Sequence, residues 1–299
     1  MILLTGASGF VGRHVLKEML ARQAGPIRAF LQPGETVPAG LAKSDCCHGD
    51  IRDAAIVARH VDDSISRIIH LAGIVASADE KLNHDINASG TQNLLSAAAQ
   101  HNVQHFVLMS AAAVKFKTMN AYGRSKLAAE EAVRDSGLPY TIVRCPLIIG
   151  QGCQEFERFV DYVMKFPAMV PVFGSGKTIK KPIGIADVSQ FMLKVLEAGP
   201  QGRTYEIACM EDISLDALID LVLRFKNARK LKWHIPLWFS LWLAALAEKL
   251  LGGKSPVTRD ILLGLNEDIQ FDSAPARQEL GFAPVSIEKV LMDLQGAGA

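Results

Sequence analysis

Apolar residues follow two rhythms along the first 150 positions of this chain. Short apolar runs alternate with longer stretches in which apolar residues return every three or four positions. The runs at Ile2–Leu4, Ile27–Leu31, Arg67–Leu71, His105–Met109 and Thr141–Arg144, with a short one near Cys47, predict strands. The stretches at Phe10–Arg22, Ala54–Val61, Leu82–His101 and Ala121–Ser136 predict helices. Strand alternating with helix predicts an α/β fold, a doubly wound parallel sheet covered on both faces. Right-handed crossovers then collect the carboxyl ends of the strands along one edge, where ligands bind.

After Gly150 the rhythm changes. Gly152, Pro167, Pro171, Gly174, Gly176 and Pro182 predict an irregular connection with few long periodic runs. Ile183–Ile185 and Thr204–Ala208 read as strands returning to the sheet, separated by a helix from Asp187 to Glu197. The rest is expected to be mostly helical, with starts at Ser214, Pro236, Ser255, Ser273 and Ser286 and a disordered tail at Gln295–Ala299. The expected organisation is a dinucleotide-binding Rossmann domain over 1–150, with 183–208 returning to it. A smaller, mostly helical substrate cap takes 151–182 and 209–299.

Composition narrows the function classes only a little. The chain has 299 residues, enough for one large α/β domain or a nucleotide domain with a companion, and 49% are hydrophobic. A formal net charge of +1 gives no reason to expect nucleic acid as a partner. The five cysteines (Cys46, Cys47, Cys145, Cys153, Cys209) lack metal-ligand spacing, and a helix end between His101 and His105 argues against a metal pair. No metal is expected. A strand beginning at the initiator methionine, with no signal peptide before it, makes the cytoplasm the expected location.

Two segments carry chemistry. Thr5-Gly-Ala-Ser-Gly-Phe-Val-Gly12 follows the first apolar run and opens an amphipathic helix. Gly6 permits a tight turn, Gly9 lets backbone N–H groups approach phosphates, and Gly12 lets the helix pack closely on the sheet. The helix N-terminus then faces an anion such as a dinucleotide pyrophosphate. An ordinary strand-to-helix turn has the same three glycines as its plainer reading. In Tyr122-Gly-Arg-Ser-Lys126 the tyrosine and lysine lie one helical turn apart. A phenol of pKa about 10 needs a neighbouring ammonium to become a useful proton shuttle near neutral pH. The plainer reading is a surface helix.

Taken with further motifs, these segments resemble the short-chain dehydrogenase/reductase superfamily in its extended or atypical branch, the NAD-dependent epimerase/dehydratase-like group. The likeness covers most of the chain. It includes His48-Gly-Asp-Ile-Arg-Asp53, His70-Leu-Ala-Gly73, Asn87-Ala-Ser-Gly-Thr91, Arg144-Cys-Pro-Leu-Ile-Ile-Gly150 and Pro182-Ile-Gly-Ile-Ala-Asp-Val188. The resemblance implies an NAD(P)-dependent oxidoreductase or epimerase acting on a hydroxyl/carbonyl carbon of a small molecule. Tyr122 would be the acid/base, Lys126 its pKa-lowering partner and Ser110 the carbonyl donor. The implied cofactor site comprises Gly6, Ser8, Gly9, Phe10, Val11, Gly12, Arg13, Gln32, Asp50, Ile51, Leu71, Ala72, Gly73, Asn87 and Pro146, together with Tyr122 and Lys126. Two positions depart from the pattern: anchored on Ala113-Val114, the polarising serine of relatives falls on Ala111, whereas anchored on the strand end Ser110 is itself the donor; and Gly184 stands where relatives frequently carry histidine. The wording around Ser110 and Tyr122 is similar to the subgroup that contains the nucleotide-binding accessory subunit of respiratory complex I. A non-catalytic NAD(P)(H)-binding module docked to a partner protein is therefore the alternative function.

The end of the second strand bears on cofactor choice. No carboxylate follows Ile27–Leu31 until Glu35, while Arg13 and Arg28 could meet a 2′-phosphate, so NADP is favoured over NAD. Lys177, Lys180 and Lys181 read as a solvated loop. All three tryptophans, Trp233, Trp238 and Trp242, lie within ten residues beside a basic stretch. Trp233–Ala247 is expected to include a cap helix packed on the nucleotide domain, with contact to a membrane surface as the less favoured reading. Homo-oligomerisation stays open.

Overall fold

The apolar runs become one seven-stranded parallel sheet, and the pattern of burial explains why. The computed structural model describes residues 1–75, 79–251 and 259–297. Strands β1 (Ile2–Thr5), β2 (Ile27–Leu31), β3 (Cys46–His48), β4 (Arg67–His70), β5 (His105–Ala111), β6 (Tyr140–Cys145) and a later strand at Arg203–Glu206 lie in the order β3–β2–β1–β4–β5–β6–(203–206). Every pairing is parallel, from Ile2 opposite Ile27 to Glu206 opposite Arg144. The order runs outward in both directions from the β1/β4 boundary, so a crevice opens there at the carboxyl edge.

Helices cover both faces. On one side α1 (Phe10–Ala21) packs Val15, Leu16 and Met19 against the sheet beside Val188, Phe191 and Met192. On the other, α2 (Ala54–His60), α3 (Glu80–Asn83), α4 (Gly90–Ala98) and α5 (Ala121–Asp135) follow in turn, with Leu94, Leu95, Ala129 and Val133 buried. Leu3 faces this second layer while Ile2 and Leu4 face the first, the period-two alternation of a strand apolar on both sides. The stretch expected as one helix from Leu82 to His101 is broken: α3 passes into a π-helical turn at His84–Ser89 before α4 begins. The wider turn is where Asn87 enters the interior, a use π-turns commonly serve.

The segment expected to be irregular is more ordered than that. It holds β7 (Ile148–Ile149), α6 (Gln154–Met164) and β8 (Met169–Phe173). Phe156, Val160 and Val163 recur at helical spacing and are buried, a period that the flanking glycines and prolines obscured. Strand β9 (Ile183–Gly184) pairs with β7 in a small sheet of its own and not with the main sheet, correcting the expected return of Ile183–Ile185. Helix α7 (Ile185–Ala198) then covers α1, and β10 (Arg203–Glu206) completes the sheet edge.

Beyond it lie α8 (Leu215–Phe225), β11 (Leu231–Ile235), α9 (Leu237–Leu251), α10 (Arg259–Leu265), α11 (Ala274–Leu280) and α12 (Ile287–Ala297). A third core joins α6, β8, α8 and α12 through Val160, Val172, Leu218, Val222 and Leu291. Ser214 caps α8, and Ser273 and Ser286 precede α11 and α12 as expected, while Ser255 lies outside the described residues. Residues 295–297 of the tail expected to be disordered belong to α12. Gly184 sits against that helix: a Cβ there would stand 2.9 Å from Val290 Cγ2, so the position has no room for a histidine without repacking.

Candidate active site

Backbone contact at the β1–α1 turn leaves no choice of residue. A Cβ on Gly12 would lie 1.9 Å from the Gly6 carbonyl oxygen, and one on Gly6 (φ +70°) 2.7 Å from Ala72 N. Gly9 N–H donates to Gly6 O at 3.0 Å and closes the turn. Gly9 is also the N-cap of α1, so no side chain caps the helix and its first turn holds no acidic residue. The free N–H groups and the positive helix end suit an anion such as a pyrophosphate. Phe10 and Val11 turn toward the core, Ser8 is half-buried in the turn, and Gly150 leaves space for Phe10.

A hydrogen-bonded path leads from this turn to α5. Ala72 N–H donates to Thr5 Oγ1 (3.2 Å), which pairs with His70 Nδ1 (2.7 Å). His70 Nε2 pairs with Thr91 Oγ1 (3.0 Å), and Thr91 donates to Asn87 O (2.6 Å). Since Thr91 spends its proton on Asn87 O, it accepts from His70 Nε2–H, and Thr5 donates to Nδ1. The imidazole is therefore neutral and held as one tautomer, and burial lowers its pKa to about 3. Asn87 continues the path: its Oδ1 accepts from Ile74 N–H (2.9 Å), and Nδ2 donates to Ile74 O (3.0 Å) and Ser125 Oγ (2.9 Å). Ser125 in turn donates to Tyr122 O at 2.8 Å. Gly73 is glycine for this reason, because a Cβ would approach Asn87 Oδ1 to 2.7 Å.

Asn120 accepts from Gly123 N–H as N-cap and starts α5, which carries Tyr122 and Lys126 one turn apart. Lys126 is only 6% exposed, and no described residue bonds its ammonium. Burial lowers its pKa to about 8, against the raising influence of Glu130 and Cys145. Tyr122 Oη likewise has no hydrogen-bond partner among the described residues. Its pKa is not pulled down as the sequence suggested: burial first, then Cys145 and Glu155, push the phenol above its ordinary value. An unpartnered ammonium on a buried lysine, near enough to His70 to help lower its pKa, fits a ligand with hydroxyl acceptors, as a dinucleotide ribose has. Pro146 follows Cys145 at the end of β6 on the same sheet edge.

Ser110 departs from its expected role. Its hydroxyl donates to Glu130 Oε1 at 2.6 Å, and Glu130, fully buried, also takes Arg144 through both oxygens (2.8 and 2.6 Å) and pairs with Arg134. A proton committed to a buried carboxylate is not available to a substrate carbonyl, and Ala111, next along the strand, has no hydroxyl. The sequence pattern marks neither Glu130 nor His70 as an individual site residue. The only sequence signal for Glu130 was its place one turn beyond Lys126.

At the opposite end of the crevice Leu71, Ala72 and Gly73 follow β4. Buried Ile51 supports Gly90 and accepts from Asn93 through its carbonyl (2.9 Å), while Asp50 pairs with Arg52. Arg13 does not face the end of β2: it reaches Gly152 O (3.4 Å) and lies over the Phe10 ring. Arg28 pairs with Asp62 at 2.7 Å. Glu35 folds back so that its Oε2 accepts from Gln32 N–H at 2.8 Å, bringing a carboxylate to the end of β2 after all. Lys180 is not solvated as expected; it is buried, donates to Glu267 O (2.9 Å), and has a pKa lowered to about 8 by burial. His101 and His105 turn to different partners, Asp63 and Thr141.

Comparison with known proteins agrees with this geometry. Residues 2–208 match the NAD dependent epimerase/dehydratase family. A 2-alkyl-3-oxoalkanoate reductase of Stenotrophomonas maltophilia is 25% identical, covering 100% of this chain and 99% of its own. A 3 beta-hydroxysteroid dehydrogenase/Delta 5→4-isomerase of Mycobacterium tuberculosis is 27% identical over 95% of this chain and 86% of its own. Among solved structures, the dTDP-glucose 4,6-dehydratase DesIV of Streptomyces venezuelae, with NAD and TYD bound, superposes with a TM-score of 0.76. It is 21% identical and covers 99% of this chain and 95% of its own, a likeness of fold. The glycine turn, the crevice and the family match converge: the chain is an NAD(P)-dependent enzyme and belongs to the NAD dependent epimerase/dehydratase family.

Proposed function

We propose that this enzyme interconverts a hydroxyl and a carbonyl on a small molecule, with Tyr122 as proton donor and acceptor and Lys126 as its charged partner. The observation that carries the reading is the pair itself, a half-buried phenol and a buried lysine one turn apart, neither bonded to any described residue. Bound nicotinamide supplies or accepts the hydride. In the reductive direction Tyr122 Oη passes its proton to the carbonyl oxygen as the carbon gains hydride, and a phenolate remains. Burial opposes that phenolate, so the positive charge of Lys126 offsets it while the amine stays protonated, below about pH 8. With Ser110 tied to Glu130, Tyr122 is the proton donor at the substrate oxygen. Two relatives named for a 3-oxo reductase and a 3 beta-hydroxy dehydrogenase support redox at such a carbon. Residues 151–182 and 209–299, the cap, supply the substrate side of the crevice.

We read the cofactor as NAD, against the expectation of NADP. The Glu35 carboxylate at the end of β2 accepts a ribose 2′-hydroxyl and repels a 2′-phosphate, while Arg13, Arg28 and Arg52 are engaged elsewhere. Two measurements test the reading. Tyr122→Phe abolishes turnover and leaves NADH affinity within about twofold; unchanged turnover sinks the assignment. Calorimetric titration gives NADH binding at least about tenfold tighter than NADPH, and Glu35→Gln narrows the gap. Tighter NADPH binding overturns the cofactor assignment, and nucleotide binding with no turnover of any carbonyl favours the non-catalytic module.

A further inference from the structure

The strand β11 is inside out. Its polar positions turn toward α8, where Lys232 Nζ meets Asp220 (2.6 Å) and His234 Nε2 meets Asp216 (2.9 Å). The alternate positions, Leu231 and Trp233, are 79% and 58% exposed. Strand alternation makes this one decision: with Lys232 ion-paired to Asp220 and His234 hydrogen-bonded to Asp216 on the α8 side, Leu231 and Trp233 face the other way, and Ile235 is half-buried. Helix α9 continues the pattern. Its fifteen residues include only two charged side chains, Glu248 and Lys249, and a helix apolar all round is ordinarily buried. Over residues 237–250 only Ser240 and Ala244 are buried, while Trp238 is 73%, Trp242 59% and Leu250 75% exposed, with Leu243 and Leu246 also outward. Phe239 stacks on Trp242 and meets Trp238 edge-on, forming an aromatic cluster on the surface.

We propose that residues 231–251 form a docking surface that lies in the interface of an anionic phospholipid bilayer. Three observations choose this occupant. None of the three indole N–H groups donates a hydrogen bond among the described residues, leaving each ring with a polar edge for the headgroup region and an apolar body for the acyl boundary. Among the described residues the charge left free around the patch is positive: Lys226, Arg229 and Lys249 are exposed without carboxylate partners, whereas Glu248 is taken by Arg259 at 2.9 Å. A second copy on the same face would set those like charges against one another. The surface lies on the bilayer and does not cross it. Fifteen helical residues reach about 22 Å where a hydrocarbon core needs about 30 Å, and no helix among the described residues is long and apolar enough to span. The proposal does not depend on the redox assignment.

Because the chain contains only these three tryptophans, its intrinsic indole fluorescence reports this surface alone. The test titrates the full chain with phosphatidylcholine vesicles, with and without phosphatidylglycerol, at low ionic strength, reading emission and co-sedimentation. Expected are a blue shift and co-sedimentation with the anionic vesicles, at least about tenfold weaker binding to the neutral ones, and weakening by salt. The double variant W238S/W242S is expected to lose at least about tenfold in vesicle affinity and to bind NADH as the wild type does. No binding to either vesicle overturns the proposal. So does equal binding to both, and so does a lipid-independent dimer dispersed by the same double variant, which would assign the patch to a second copy.

Discussion

A lysine as deeply buried as Lys126 costs free energy unless its ammonium is paired, and no described residue bonds it, Glu130 acting only through its charge. The fold therefore carries a charge whose benefit appears when a ligand binds. Lys126→Met is expected to raise the unfolding midpoint, by about 1 kcal/mol of stability, while weakening NADH binding more than about tenfold. A lowered midpoint in denaturant titration would show that the charge is already compensated. The same residue predicts a pH dependence. NADH affinity holds below about pH 8, where the amine is protonated, and falls by up to about tenfold per unit above it, as calorimetry at pH 7 and 9 would reveal. The Tyr122/Lys126 pair was legible because its spacing is local. The fate of Ser110 was not, since its partner lies twenty positions away on another element.

The elements around the crevice are joined by polar side chains and not only by packing. Asn87 ties the segment after β4 to the π-turn and to α5, and removing its side chain strands both backbone groups of Ile74. Asn87→Ala is expected to cost about 2–4 kcal/mol in chemical denaturation and to weaken NADH binding as well, whereas a surface asparagine would cost almost nothing. Gly12→Ala is a sharper test of the β1–α1 contact. Its Cβ would need to displace the Gly6 carbonyl, so NADH binding should be lost in titration even in protein that remains folded by circular dichroism. The glycine spacing announced this element plainly. The break in the helix expected from Leu82 to His101 was hidden, because a π-turn preserves apolar content and shifts only the phase.

Across the whole molecule, two buried histidines make stability pH-dependent. His70 and His105 titrate near 3 and 4 in the fold because burial disfavours the imidazolium, against an ordinary value of 6.5. Below 6.5 the unfolded chain binds these protons and the folded chain does not, so stability is intact above 6.5 and is lost as the pH falls toward the folded values. Between pH 6.5 and 5 each histidine contributes a loss of about 1.4 kcal/mol per unit. His105→Asn, read by denaturant melts at pH 7.5 and 5, is expected to remove roughly half of that slope.

Residues 1–150 announced the sheet, its covering helices and the glycine turn, because these depend on periodicity and short-range sterics that a chain expresses over a few residues. Three-dimensional packing decided the rest. It turned Arg13 toward Gly152, 139 positions away, and away from the end of β2. It wired His70 to Thr5 and Thr91, and it sent β9 to a sheet of its own. It also left the apolar side of β11 and α9 facing outward, where composition alone argued for a packed cap helix. Hydropathy records how much a residue gains by leaving water. Which surface covers it is settled only when distant parts of the chain meet.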